Sequence, residues 1–239
     1  MNNPAWLFVL LSLLAAGWGL RRLGEACRRA QRSDWGAGWL NFLDGLNRIY
    51  CRRVHELDDL QLEIPDSGPA IVVSNHVSGL DPLLLIAASH RPLRFLVARE
   101  QYVMPWFSWL FRAVGCIPVD RQRRPERALR EALKTLRKGG VVALFPHGKI
   151  HLDSDPPRKL KPGAAKLAQA TGAPLIPVRI TGVRGEGHVL PALFFPSRIE
   201  IHTYPVIECS GLATEQILER LTTILNGRVE DPTRDVDPR

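Results

Sequence analysis

From residue 58 onward, short apolar runs alternate with stretches whose apolar residues recur every three or four positions, and this alternation narrows the possible folds more than anything else in the chain. Ala70, Ile71, Val72 and Val73 form a run too short and too β-branched for a helix, so they predict a buried strand. After a turn containing Gly79, Asp81 and Pro82 supply an N-cap and a first helical residue for Leu83, Leu84, Leu85 and Ile86. Residues 93–98, 116–119, 141–145, 174–180 and 199–207 read as further strands; Leu60, Leu62 and Ile64, alternating with Gln61 and Glu63, read as a half-buried one. Helices are predicted over 105–113, from Pro125 with the stripe Leu129, Leu133 and Leu136, over 161–170, and from a Thr214 cap through Ile217, Leu218, Leu221 and Leu225. The helix at 105–113 carries Trp106, Phe107, Trp109, Leu110 and Phe111, apolar around most of its circumference, so it is either deeply buried or facing lipid. Strands alternating with helices predict an α/β sheet with helices on its faces, and 239 residues suffice for one such domain. The domain is placed at 58–229, followed at 230–239 by a flexible tail with two prolines and mixed charge.

Ahead of the domain the chain changes character. Residues 5–20 are uncharged and almost wholly apolar, but at about 1.5 Å per residue they span only about 24 Å against a hydrocarbon core of roughly 30 Å. The run is a marginal membrane span or a buried core helix. Met1, Asn2 and Asn3 carry no basic residue, whereas Arg21, Arg22, Arg28, Arg29 and Arg32 follow the run, the reverse of a cleaved signal peptide. This asymmetry predicts a retained anchor at 1–22, with the rest of the protein on the cytoplasmic side. After a polar break at Ser33 and Asp34, Trp35, Trp39, Phe42, Leu43, Leu46, Ile49 and Tyr50 share one face of a second amphipathic helix at 33–57. Tryptophans at its start and Arg48, Arg52 and Arg53 near its end suit a helix in the membrane interface, and the same stripe suits a helix packed on its own domain. Both hold if the helix forms the membrane-facing lip of a site.

A net charge of +8 predicts an anionic partner, whether a membrane surface, a phosphorylated metabolite, an acidic protein or nucleic acid. No helix-turn-helix, zinc or aromatic ribonucleoprotein pattern supports nucleic acid. Cys27, Cys51, Cys116 and Cys209 lack C-x-x-C spacing, as expected of reduced thiols, and the histidines and carboxylates lack the spacing of metal ligands, so no metal is expected.

His76 stands at the end of the strand at 70–73, with Asp81 five residues on. A turn at Gly79 can fold the carboxylate back onto the imidazole, fixing its tautomer and stabilising the imidazolium while the other nitrogen takes a proton. No serine or cysteine is needed if the substrate brings its own hydroxyl. On these residues alone, Asp81 equally reads as a simple helix cap and His76 as a surface histidine.

Other segments bear on that choice. Asn75, His76 and Asp81 complete an N-H-x-x-x-x-D pattern; Gly115, Ile117, Val119 and Arg121 give a glycine and a hydrophobic strand ending in arginine; Phe145-Pro146-His147-Gly148-Lys149-Ile150-His151 follows, then Lys159-Leu160-Lys161-Pro162-Gly163-Ala164 and Leu175-Ile176-Pro177-Val178. In this order, with the apolar N-terminus, the chain resembles the glycerophospholipid acyltransferase family, which includes the 1-acylglycerol-3-phosphate acyltransferases. The resemblance implies a mixed α/β domain that moves a fatty acyl group from acyl-CoA or acyl-carrier protein to the free hydroxyl of a lysophospholipid, in phospholipid biosynthesis or remodelling and without a further cofactor. It makes His76 the general base and Asp81 its orienting carboxylate, with direct transfer and no acyl-enzyme. Oxyanion stabilisation would come from backbone N–H groups that the sequence does not place.

The resemblance assigns Arg121 to the acceptor's phosphate, for which a guanidinium fork is suited. It places Asn75, Gly115, Phe145, Pro146, His147, Gly148, Lys149 and Lys161 at the substrate site. Arg123, Arg124 and Lys159 read as solvated charges. The third segment departs from the family's usual F-P-E-G-T-R-S, with His147 for glutamate, Lys149 for threonine and Ile150 for arginine. Lys149 restores a charge but not the planar fork. A lysolipid headgroup that meets this loop differently is the favoured consequence; a degenerate loop with weak activity is the other. Two alternatives stay open: a transacylase that needs no thioester, and an acyltransferase-like protein that binds lipid without turnover.

Overall fold

The computed structural model describes residues 5–121 and 125–227; Arg123, Arg124 and the tail at 230–239 lie outside the described residues. Helices α1 (Ala5–Ala30) and α2 (Gly38–Val54) precede strand β1 (Ala70–Ser74). There follow α3 (Asp81–Ala88), β2 (Leu93–Ala98), α4 (Arg99–Tyr102), α5 (Ser108–Ala113), β3 (Ile117–Val119), α6 (Pro125–Arg137) and β4 (Val141–Leu144). The chain continues through α7 (Gly163–Thr171), β5 (Leu175–Thr181), α8 (Pro191–Phe194), β6 (Glu200–Thr203) and α9 (Thr214–Leu225).

The strands form one sheet in the order β3-β2-β4-β1-β5-β6. All neighbours are parallel except β5 and β6, so the fold is a mixed α/β sheet flanked by helices. Central β1 is buried along its whole length, which is why its sequence is uninterrupted apolar rather than alternating. The pleat sends Val72, Ala143, Ile176 and Val178 to the face covered by α3. It sends Ile71, Val73, Val142 and Leu144 to the face covered by Ala128, Ala132 and Leu136 of α6, Ala164 and Ala168 of α7, and Ile217 and Leu221 of α9. Five parallel strands bring their carboxyl ends to one edge, and the segments after β1, β3, β4 and β5 all leave from it. In open α/β sheets this edge is where ligands bind.

Several expectations are corrected. Residues 60–64 are irregular and lie outside the sheet: the Leu62 N–H donates to the Ala88 carbonyl at the end of α3 (2.9 Å) and the Ile64 N–H to the Leu62 carbonyl (2.8 Å), so the alternation reflects packing under a helix end. Asp81 does not cap α3 but is its first residue, after Leu80 in a helical conformation. Helix is confined to 108–113 in the aromatic segment, and Trp106 is 83% exposed, with Phe107 and Trp109 also exposed, which excludes deep burial. β6 stops at Thr203, ahead of Pro205, and Ile207 makes only an isolated bridge to Leu175. At α9, Thr214 is the first helical residue, and the Gln216 side-chain oxygen accepts the Ala213 N–H (2.9 Å).

The N-terminal helices also differ from expectation. α1 runs past Leu20 through the arginines to Ala30, and no helix among the described residues is long and apolar enough to cross a membrane. In α2 the apolar stripe and the packing face do not coincide. The helix turns Leu40, Asp44, Gly45, Arg48 and Cys51 inward. Fully buried Arg48 pairs with Asp44 (2.8 Å), bonds the Ser33 hydroxyl (3.1 Å) and donates to the Ala87 and Ser89 carbonyls. With its donors satisfied in this way, a buried charge can dock a helix. Trp39, Phe42 and Leu46 are left exposed, and Trp39 packs against Trp109, with ring centroids 5.7 Å apart.

Candidate active site

The turn after β1 is built around the Asp81 carboxylate, which is fully buried. Its Oδ2 accepts the His76 Nδ1–H (2.7 Å), the Val77 N–H (2.7 Å) and the Ser78 N–H (2.9 Å), and its Oδ1 accepts the Ser78 hydroxyl (2.6 Å). Four donors fix the carboxylate, and the carboxylate fixes the ring. Nδ1 is committed to Asp81, which leaves Nε2 of a partly exposed imidazole for a substrate. The other ring face is set by Phe145, stacked on His76 at 4.1 Å and 14°, with Phe95 beyond it at 6.0 Å.

Asn75 holds the turn from below. Its amide accepts the Ile180 N–H and donates to the Ile180 carbonyl, both at 2.8 Å, clamping β1 to β5. This places Asn75 in the frame of the site rather than at the substrate. Gly79 is demanded by a close approach: a Cβ there would lie 2.3 Å from the Val189 carbonyl oxygen. Its N–H donates to His188 O (3.1 Å) and the Gly187 N–H to Val77 O (2.9 Å), so the segment after β5 lies against the His76 turn.

The segment after β4 forms the facing wall. The His151 N–H donates to the His76 carbonyl (2.7 Å) and the Gly148 N–H to the Phe145 carbonyl (3.0 Å). Gly148 has φ +74, and a Cβ there would meet Lys161 Nζ at 2.6 Å, so the lysine lies directly over the loop. Lys161 is also tied by its N–H to the Pro146 carbonyl (2.9 Å). Burial holds the Lys161 amine below its ordinary value, and the Arg121 and Arg158 charges push it the same way. Arg121 and Arg158, from two segments, are therefore near enough to act on Lys161, which itself lies over Gly148. Lys149 is exposed on the same loop.

His147 is 2% exposed, beneath the loop rather than on it, and stacks on His151 at 4.6 Å. Neither ring nitrogen has a hydrogen-bond partner at good geometry. Burial pushes its pKa down to about 4; His151, Arg158 and His76 add to the effect, and the nearby Asn226 side chain opposes it. The imidazole is accordingly neutral near pH 7. Gly115 closes α5 at the amino end of β3, packed against Arg94, on the edge of the sheet opposite His76. It shapes the connection and lies outside the site.

Arg158, His151 and Glu186 are site residues that the sequence does not single out. Arg158 and His151 sit in an irregular loop where no periodicity assigns a direction. Glu186 lies on the segment after β5; partial burial raises its pKa, with Asp153 and Asp81 adding and Arg179 opposing. Arg179 in turn pairs with Asp153 and donates to the Leu225 carbonyl, pinning the loop after β4.

Residues 51–181 match the family model described as Acyltransferase. A 1-acyl-sn-glycerol-3-phosphate acyltransferase of Borreliella burgdorferi is 28% identical over 170 residues, covering 70% of this chain and 66% of that protein. One of Pseudomonas aeruginosa is 27% identical over 233 residues, covering 93% of this chain and 85% of that protein. Several curated relatives are longer, and the chain spans about half to two thirds of their length. The crystal structure of the 1-acyl-sn-glycerophosphate acyltransferase PlsC from Thermotoga maritima shares the fold, with a TM-score of 0.60 at 23% identity, covering 91% of this chain and 90% of that one.

Proposed function

From the premise that the chain belongs to the Acyltransferase family, we propose that it moves a fatty acyl group from a thioester to the free hydroxyl of 1-acylglycerol-3-phosphate or a related lysolipid. The observation that carries this reading is the His76–Asp81 pair, with Nδ1 bonded to a carboxylate that three further donors immobilise. His76 Nε2 takes the hydroxyl proton as the acceptor oxygen attacks the thioester carbonyl. Asp81 stabilises the imidazolium, and collapse of the tetrahedral intermediate expels the thiolate, which takes the proton back. Such base catalysis typically contributes about 10²- to 10⁴-fold. Acyl-CoA or acyl-carrier protein is the co-substrate, and the scheme uses no further cofactor.

Arg121, Lys161 and Arg158 hold the acceptor's phosphate in this reading, the proximity of the two arginines to Lys161 supplying the charge that Ile150 does not. The outward aromatic stripe of α2, continued by Trp109, supports docking on an anionic leaflet, and the arginines that follow the apolar run at 5–20 favour the cytoplasmic side.

The test is to supply the purified full chain with radiolabelled acyl-CoA or acyl-carrier protein and a panel of lysolipids. Diacyl product from at least one acceptor is expected. His147→Glu is expected to change the ranking of acceptors. The absence of product with both thioesters, alongside product from labelled phospholipid alone, would replace this reading with a transacylase.

A further inference from the structure

A cleft of about 920 Å³ opens at the carboxyl ends of β2 and β3, between α4 and α6. α6 buries Ala128, Ala132 and Leu136 against the sheet, and this fixes Arg127, Arg130 and Lys134 on its outer side, three and four residues apart. Those three cations and Arg99 line the cleft. Two are matched by carboxylates of the same cleft, Arg99 by Asp120 (3.2 Å) and Lys134 by Glu131 (2.8 Å). Among the described residues Arg127 and Arg130 form no ion pair, so two guanidinium groups face the cleft uncompensated. Tyr102, held by stacking on Phe111 at 6.1 Å, and exposed Pro118 add flat apolar surfaces to the same lining.

We infer that this cleft binds the phosphorylated nucleotide end of a coenzyme A thioester, the guanidinium groups of Arg127 and Arg130 taking its phosphates and Tyr102 and Pro118 its purine. The assignment rests on the acyl transfer proposed above and names its donor. Strands β3 and β1 are separated by β2 and β4, so their ends lie three strand spacings apart, about 14 Å. A pantetheine arm, comparable to roughly five extended residues, spans about 17 Å. The thioester can therefore reach His76 while the nucleotide stays in the cleft. Arg121 follows Asp120 directly and belongs to the cluster beside Lys161, so the end of β3 divides donor from acceptor. A carrier protein would press a convex acidic surface onto a broad basic face. The concave form and apolar walls here favour the nucleotide.

Two measurements test this on the full-length protein. In the first, calorimetry on His76→Ala, which suppresses turnover, compares CoA with 3′-dephospho-CoA before and after adding Arg127→Ala and Arg130→Ala. CoA is expected to weaken by roughly tenfold or more with the two arginines removed, and the preference for CoA over its dephospho form to shrink. In the second, the preference for palmitoyl-CoA over palmitoyl-pantetheine in kcat/KM is expected to collapse in the double arginine variant. Unchanged CoA affinity, a preserved preference, or a defect confined to acyl-carrier protein would each overturn the assignment. Arginine-dependent CoA binding by a protein that transfers nothing would sink the acyltransferase reading and leave the cleft assigned. Acyl transfer with CoA affinity untouched by the double variant would do the reverse.

Discussion

Asp81→Asn separates the charge of the His76 partner from its shape. The amide oxygen can take the place of Oδ2 and keep the contacts to His76, Val77 and Ser78, while the amide nitrogen faces the Ser78 hydroxyl, which can rotate to accept. What disappears is a negative charge beside the imidazolium formed during proton transfer. With a 2.7 Å contact, the charge centres lie about 4 Å apart, an interaction of about 4 kcal/mol in a protein-surface environment and about 1 kcal/mol in water. The partly exposed ring lies between these limits, so kcat is expected to fall between roughly fivefold and a thousandfold. Asp81→Ala would be a poorer test, because two buried N–H groups and a hydroxyl would lose their acceptor, at about 1–3 kcal/mol each. The assay is steady-state acyl transfer at saturating donor and acceptor, with thermal unfolding as a control. A variant that melts like the wild type and keeps most of its turnover would refute the account of the imidazolium.

Three further outcomes follow from named contacts. His147 is neutral when folded, with a pKa of about 4 against an ordinary 6.5. Above pH 6.5 its titration leaves stability unaffected; as pH falls toward 4 the unfolded chain binds a proton that the folded chain refuses, and up to about 3 kcal/mol is lost. Urea unfolding at pH 7.5 and 4.5 should therefore show a smaller acid loss for His147→Leu than for the wild type, and parallel losses would contradict the buried neutral state. Arg121→Ala is expected to raise the acceptor KM by roughly tenfold, as expected for a lost charge-assisted bond to phosphate; a rise in donor KM instead would place Arg121 on the wrong substrate. Replacing exposed Trp39 and Trp109 with serine is expected to lower affinity for anionic vesicles by roughly tenfold or more, and unchanged co-sedimentation would remove α2 from the membrane contact.

Residues 70–73 and 141–144 were legible as strands because a parallel sheet buries them on both faces and their apolar run is uninterrupted, whereas 93–98, nearer the sheet edge, is only partly buried and carries Arg94 within its apolar run. His76 and Asp81 were legible as a pair because the strand end and the turn fix their positions locally. The direction of α2 was not, because the sequence does not show that Asp44 and Arg48 satisfy each other inside, a contact that also needs Ser33 and two carbonyls from the α3 end. Leu62 and Ile64 alternate like a strand because they pack beneath that helix end, a long-range fact with a short-range imitation. Arg158 joins Lys161 and His147 through an irregular loop whose path depends on the pairing of its own Asp153 with Arg179, which lies on the later strand β5.

The most direct test of the central claim is the rate of acyl transfer by His76→Ala, measured with the donor and acceptor pair that the wild type uses best. Among the described residues the His76 side chain hydrogen-bonds Asp81 alone, and its ring is partly exposed, so the variant should fold and bind both substrates. Turnover is expected to fall by about 10²- to 10⁴-fold, with CoA binding retained. Turnover within a few-fold of the wild type would show that another group takes the hydroxyl proton, and the His76–Asp81 pair would then be only a structural clasp.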